Sequence, residues 1–132
     1  MRQKGMCTVG REKYLYHGTT PQTLGKVAKS GLCPPSLCGL IEPRWQRSKR
    51  FCEIHFARTV DSAQLFSGAV PRKAAVLRID TKDDFLADCH VRPTRGGYVT
   101  VSACGCIPPE RLEFREPRSG RWRAVESIRK RN

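Results

Sequence analysis

A chain of 132 residues, 39% of them hydrophobic, is long enough to bury one core and too short for two comfortable ones, so a single domain is expected. The formal charge of +13, from 25 Lys and Arg against 12 Asp and Glu, sets up a field that attracts polyanions, and nucleic acid or a phosphorylated ligand is the natural partner. No apolar run approaches the roughly 20 residues that a bilayer span requires, which excludes a helical membrane protein and leaves a soluble one as the expectation.

Residues 1–12 are polar and basic and read as a flexible N-terminus, followed by a first strand over about 13–17. Thr20 then caps a helix, Pro21 suits its first turn, Leu24, Val27 and Ala28 recur at helical spacing, and Gly31 fits the left-handed residue past its end. From Leu32 to Arg50 the pattern dissolves into Pro, Gly, Ser and basic residues, a long loop of the kind that is usually functional or disordered. Within it Trp45 sits among Arg44, Arg47, Lys49 and Arg50, a mixture suited to stacking on a base and holding phosphate; a Trp folded back onto the core is the alternative.

Glu53 to Ala57 alternates as a strand, and Thr59 caps a short helix on which Val60, Ala63 and Phe66 share a face. After a loop through Gly68 and Pro71, Ala74 to Ile79 is a nearly continuous apolar run closed by Asp80, the profile of a central strand. Residues 85–96 read as irregular, Tyr98 to Ser102 as strand, Cys104 to Pro109 as turn, and Leu112 to Phe114 as strand again. The remainder, 116–132, crowds Arg118, Arg121, Arg123, Arg129, Lys130 and Arg131 into a basic C-terminal extension. Five or six short strands with two short helices make a small α+β domain.

Seven cysteines are an odd count, and the N-terminus lacks the apolar core of a secretory signal; reduced thiols in a reducing compartment, cytoplasmic or nuclear, are expected. Cys33 with Cys38, or Cys104 and Cys106 with Cys89 and His90, offer soft ligands for zinc. Neither pair has the two-residue gap common in structural zinc sites, so no metal is expected and the thiols serve as small buried hydrophobes.

No serine, cysteine or carboxylate sits in a motif that marks an activated nucleophile, so chemistry falls to His17, His55 or the arginines. His17 ends a strand and precedes Gly18, which lets its ring reach a ligand while neighbouring backbone groups stay open; a packed histidine at a strand end is the simpler reading of that tripeptide alone. His55 lies mid-strand with Ile54 and Phe56 on the other face, and faces solvent or a cleft.

Taken in order, Leu15-Tyr-His-Gly-Thr19, the capped helix ending Ser30-Gly-Leu32, Glu53-Ile-His-Phe-Ala57, Val76-Leu-Arg-Ile-Asp80 and Ile107-Pro-Pro-Glu-Arg-Leu-Glu-Phe114 resemble the ADP-ribosyltransferase superfamily. The resemblance covers about residues 13–115 and is greatest to the NAD-binding lobe of the RNA 2'-phosphotransferases. It implies split β-sheets that clasp NAD as a substrate. By that likeness His17 holds a ribose hydroxyl, Gly18 bonds the carboxamide through its backbone and Phe56 packs on the nicotinamide ring, with Thr19 and Ala57 beside them in the NAD site.

Many protein-modifying members carry a glutamate on a late strand. Tyr98 to Ser102 here has none, and Thr100 is the nearest polar match. The RNA enzymes use arginines and histidines to hold phosphate instead, a role that falls on Arg50, His55 and Arg72. They also have an N-terminal RNA-binding lobe, for which this chain has only about a dozen residues, so RNA would be held by the loop from Arg44 to Arg50 and the basic tail. The resemblance thus implies transfer of ADP-ribose to a phosphorylated or nucleic-acid acceptor. Two rivals stand beside it: transfer to a protein side chain, and a non-catalytic module of the same fold that binds RNA, nucleotide or protein.

Overall fold

Tyr14–Thr19 forms the first strand, β1, which places Leu15 in the core. The helix that follows, α1 (Pro21–Ser30), begins and ends as its sequence dictates. Thr20 accepts a hydrogen bond from the Thr23 N–H, Pro21 occupies the first turn, and Gly31 takes φ 90° while donating its N–H to the Val27 carbonyl. The computed structural model describes residues 12–34, 53–87, 89–94, 98–102 and 106–130.

Beyond α1 the chain builds β2 (Glu53–Phe56), α2 (Val60–Leu65), β3 (Ala75–Asp80), α3 (Asp84–Ala87), β4 (His90–Pro93), β5 (Val99–Ser102), β6 (Glu113–Arg115), β7 (Trp122–Ala124) and α4 (Glu126–Lys130). Short 3-10 turns at Pro71–Lys73 and Pro109–Arg111 lead into β3 and β6. Thr59 caps α2 by accepting from the Ser62 N–H, as expected.

The strands form two antiparallel sheets, in the orders β1-β3-β6-β7 and β2-β5-β4. The apolar run 74–79 is the inner strand β3, paired with β1 on one side and β6 on the other. One continuous core joins the sheets: Leu15, Val27, Leu77, Ile79 and Phe114 meet Ile54, Phe56, Val99 and Val101. A smaller cluster of Ala57, Ala63 and Val76 lies under α2 on the other face of the first sheet. These facts establish an α+β protein with two antiparallel sheets and short helices.

Three stretches depart from the sequence expectation. Residues 85–96, read as irregular, carry α3 and β4; β4 is a four-residue edge strand ending at Pro93, too short to display a period and tolerant of proline because its outer side needs no donor. The basic C-terminal extension supplies β7, which pairs with β6, and α4, which packs on α1, and Val125 between them is fully buried. Phe66 does not share the buried face of α2: it follows the helix as its C-cap and is 70% exposed.

Cys33 and Cys106 are joined by a disulfide, where free thiols were expected. The link closes beside the backbone bridge between Leu32 and Ile107, which holds the end of α1 against the chain entering β6. It also takes a thiolate from each cysteine pair considered as a metal site. Cys89 is a buried thiol that donates to the Phe85 carbonyl at 3.2 Å.

Candidate functional site

The site begins where the two sheets touch. Edge strand β1 meets the end of β2 through one antiparallel bridge, in which Tyr16 and Ala57 exchange both backbone hydrogen bonds at 2.9 and 2.7 Å. An antiparallel ladder alternates, so the next such pair along would be Gly18 with His55. It does not form. The carbonyl of His55 instead accepts a hydrogen bond from Nδ1 of His17 at 2.7 Å. The N–H and C=O of Gly18, which turn the same way as those of Tyr16, are left facing the gap, and the sheets part there.

The gap is a cleft of about 420 Å³, within the range of small-molecule sites. Tyr16, His17 and Gly18 form one wall, Glu53 to Ala57 the other, and Ala63, Phe66 and Tyr98 close one end. Phe66 and Tyr98 stand edge to face with ring centres 4.8 Å apart, an aromatic rim that is largely solvent-facing on the Phe66 side. Thr23, Leu32 and the disulfide-bonded Cys33 complete the lining.

His17 is held in a defined state. A carbonyl can only accept, so Nδ1 carries the proton and Nε2 is left as an acceptor in the neutral ring. Burial lowers the pKa of His17 below its ordinary 6.5, outweighing the bond to the His55 carbonyl, which raises it; the nearby His55 lowers it further. The imidazole is therefore neutral at physiological pH. Phe56, fully buried, meets that ring edge to face at 5.7 Å.

Gly18 has a second reason to be glycine. A Cβ there would lie 1.8 Å from the carbonyl oxygen of Ala63, so the residue lets α2 settle directly on β1 as well as leaving its peptide open to the cleft.

Of the expected site residues, the structure brings together His17, Gly18, His55, Phe56 and Ala57 around the cleft. Thr19 is buried at the strand end and is not on the lining. Thr100 does not reach the cleft either. It is 2% exposed in the middle of the second sheet, opposite His55, and its hydroxyl donates to the Arg92 carbonyl at 3.4 Å. Arg72 is exposed on the turn before β3, away from the lining. Arg44, Trp45, Arg47, Lys49 and Arg50 lie outside the described residues.

The sequence reading missed Tyr16, Glu53, Phe66 and Tyr98. Glu53 is 6% exposed, and its Oε2 accepts from Nη2 of Arg92 at 2.7 Å. The sequence shows only a carboxylate two residues before His55 on the same face of a strand; its burial and its pairing with Arg92 come from the fold. Phe66 and Tyr98 sit in loops flanking the strands and meet only through the fold.

Among the described residues no group of three or more His, Cys, Asp and Glu side chains is placed to hold a metal ion. Comparison with protein-family models, with curated proteins and with solved structures finds no match for this chain.

Proposed function

We propose that the chain binds NAD in the cleft between its sheets and transfers ADP-ribose, with a phosphorylated or nucleic-acid group as the favoured acceptor. The observation that carries this reading is the broken ladder between Gly18 and His55. It presents a backbone donor and acceptor side by side, the pairing that a carboxamide requires, next to a histidine whose free nitrogen accepts from a hydroxyl. The resemblance in the order of five motifs assigns these same residues to the nicotinamide and its ribose.

The residue chemistry suits that substrate. NAD supplies a glycosidic bond whose cleavage builds positive charge on the ribose, so the protein must orient, exclude water and stabilise charge. Neutral His17 accepts from a ribose hydroxyl through Nε2, and the bond to the His55 carbonyl fixes its ring. Phe56, Phe66 and Tyr98 give a flat heteroaromatic ring an apolar lining. Glu53 is the carboxylate among the described lining residues, and has the sign needed beside a developing cation. In this reading it takes the part for which a late-strand glutamate was sought.

The test is release of free nicotinamide from NAD, measured with 2'-phosphorylated RNA, with protein acceptors and with neither. Release that depends on the phosphorylated RNA supports the favoured acceptor, and release only with protein moves the acceptor to a side chain. No release together with no NAD binding refutes the enzyme reading and leaves a binding module. His17→Ala should lose turnover by at least 100-fold with its melting temperature retained; an unchanged rate removes His17 from the site.

A further inference from the structure

The face of the first sheet that carries α2 is covered by that helix only at the Gly18 and Val76 end. Toward the other end, alternation sends Tyr14 and Tyr16 of β1, Arg78 and Asp80 of β3, Glu113 and Arg115 of β6 and Trp122 of β7 to the same side. The guanidinium of Arg78 lies between two rings, 3.9 Å from the centre of Tyr14 and 4.2 Å from that of Trp122, and its Nε donates to Glu113 at 2.7 Å. The result is a rigid aromatic ledge built around a cation already paired.

Further cations border that ledge. Arg115 lies opposite Trp122 in the ladder with its guanidinium against Gly120, the Lys13 ammonium lies 5.5 Å from the Tyr14 ring, and Arg118 and Arg121 are exposed on the turn between β6 and β7. The acids nearby are largely engaged. Glu113 takes Arg78, Glu116 takes Arg123 from the other face of β7, and Asp80 accepts from the Lys82 N–H. Positive charge next to half-buried rings fits a strand whose phosphates and bases alternate.

The ledge also leads into the cleft. Tyr16 lines the cleft and its ring stands 5.8 Å from that of Trp122.

We propose that this end of the sheet is a docking face for single-stranded nucleic acid, with Arg115, Arg118 and Arg121 on its phosphates and the edges of Tyr14 and Trp122 against its bases. The face stands without any NAD chemistry; only its use as a track that brings an acceptor to the cleft rests on the function proposed above. Charge complementarity selects the partner, because the excess of +13 over the whole chain excludes a basic protein and favours a polyanion.

The experiment is fluorescence anisotropy of a labelled 12-nucleotide RNA, and of the DNA of the same sequence, titrated with the full chain in the absence of NAD. About three phosphate contacts predict that a threefold rise in salt weakens binding by about tenfold. Arg118→Glu with Arg121→Glu should weaken binding by at least tenfold and flatten the salt dependence. Lys26→Glu with Lys29→Glu makes the same change in charge on α1, whose buried residues pack against the opposite face of the sheet, and should change binding by less than threefold. Equal losses in the two double variants, or none in the first, overturn the proposal, as does failure of the wild-type chain to bind either strand. Nucleic-acid binding with neither nicotinamide release nor NAD binding keeps the docking face and sinks the NAD reading, whereas release without nucleic-acid binding does the reverse.

Discussion

Replacing Gly18 by alanine tests the joint between β1 and α2, on which the cleft depends. The new Cβ would lie 1.8 Å from the Ala63 carbonyl oxygen, 2.6 Å from its carbon and 3.1 Å from Cβ of Ser67, whereas ordinary contact begins at 3.4 Å. The obstruction is backbone, so no rotamer relieves it, and α2 must retreat by about 1.5 Å. That movement would lift Ala63 and Val60 from Val76 and Ala57 and thin the smaller core. Overpacking of this kind costs about 3 kcal/mol, the upper end of its usual range.

For a domain of this length, such a loss lowers the melting temperature by roughly 10 °C, measurable by calorimetry or by urea titration. Gly25→Ala is the matched control. Its Cβ meets nothing within 4 Å and it lies inside α1, so it should stabilise by about 0.5–1 kcal/mol. A Gly18→Ala protein that melts within 2 or so degrees of wild type, roughly the resolution of the shift expected per 0.5 kcal/mol, refutes the packing of α2 on β1.

The lowered pKa of His17 predicts a pH dependence with a definite sign. Between its depressed folded value and the ordinary 6.5 the unfolded chain binds the extra proton, so stability contributed by this residue is complete above 6.5 and falls as the pH drops toward the folded value. Urea midpoints measured from pH 5 to 8 should therefore slope less for His17→Asn than for wild type, and parallel curves would contradict the burial. NAD affinity should hold through that window and fall only as the pH reaches the depressed folded value and Nε2 gains a proton, read by titration calorimetry; an affinity that rises on acidification would contradict the acceptor role. The disulfide spans 73 residues, for which loop closure in the unfolded chain corresponds to about 4 kcal/mol. Cys33→Ser or reduction should lower stability by about 2–4 kcal/mol, and thiol labelling of the unreduced, unfolded protein should leave Cys33 and Cys106 unmodified; labelling of both would show that the link is absent.

The chain's own residues determine the elements whose causes are local. Thr20, Pro21 and Gly31 bound α1, and Thr59 starts α2, because a cap needs only a side chain within three residues or a glycine at positive φ. The apolar run before Asp80 reads as an inner strand because burial on both faces leaves no polar alternation. His17 and Gly18 were legible as candidates for the same reason, being adjacent at the end of a strand.

Tertiary structure decided what depends on partners distant in the chain. β4 and β7 are short, and β7 carries an arginine and a tryptophan inside a basic tail; only pairing with β5 and β6 makes them strands. Thr100 was the nearest polar match to a late-strand glutamate, but β5 lies between β2 and β4 and Thr100 is enclosed there, whereas Glu53 on the edge strand β2 reaches the cleft. The carbonyl that orients His17 comes from 38 residues away, and the backbone that makes Gly18 obligatory from α2. Spacing along a chain reports periodicity and caps, whereas a cleft exists only where two edges meet once and then part.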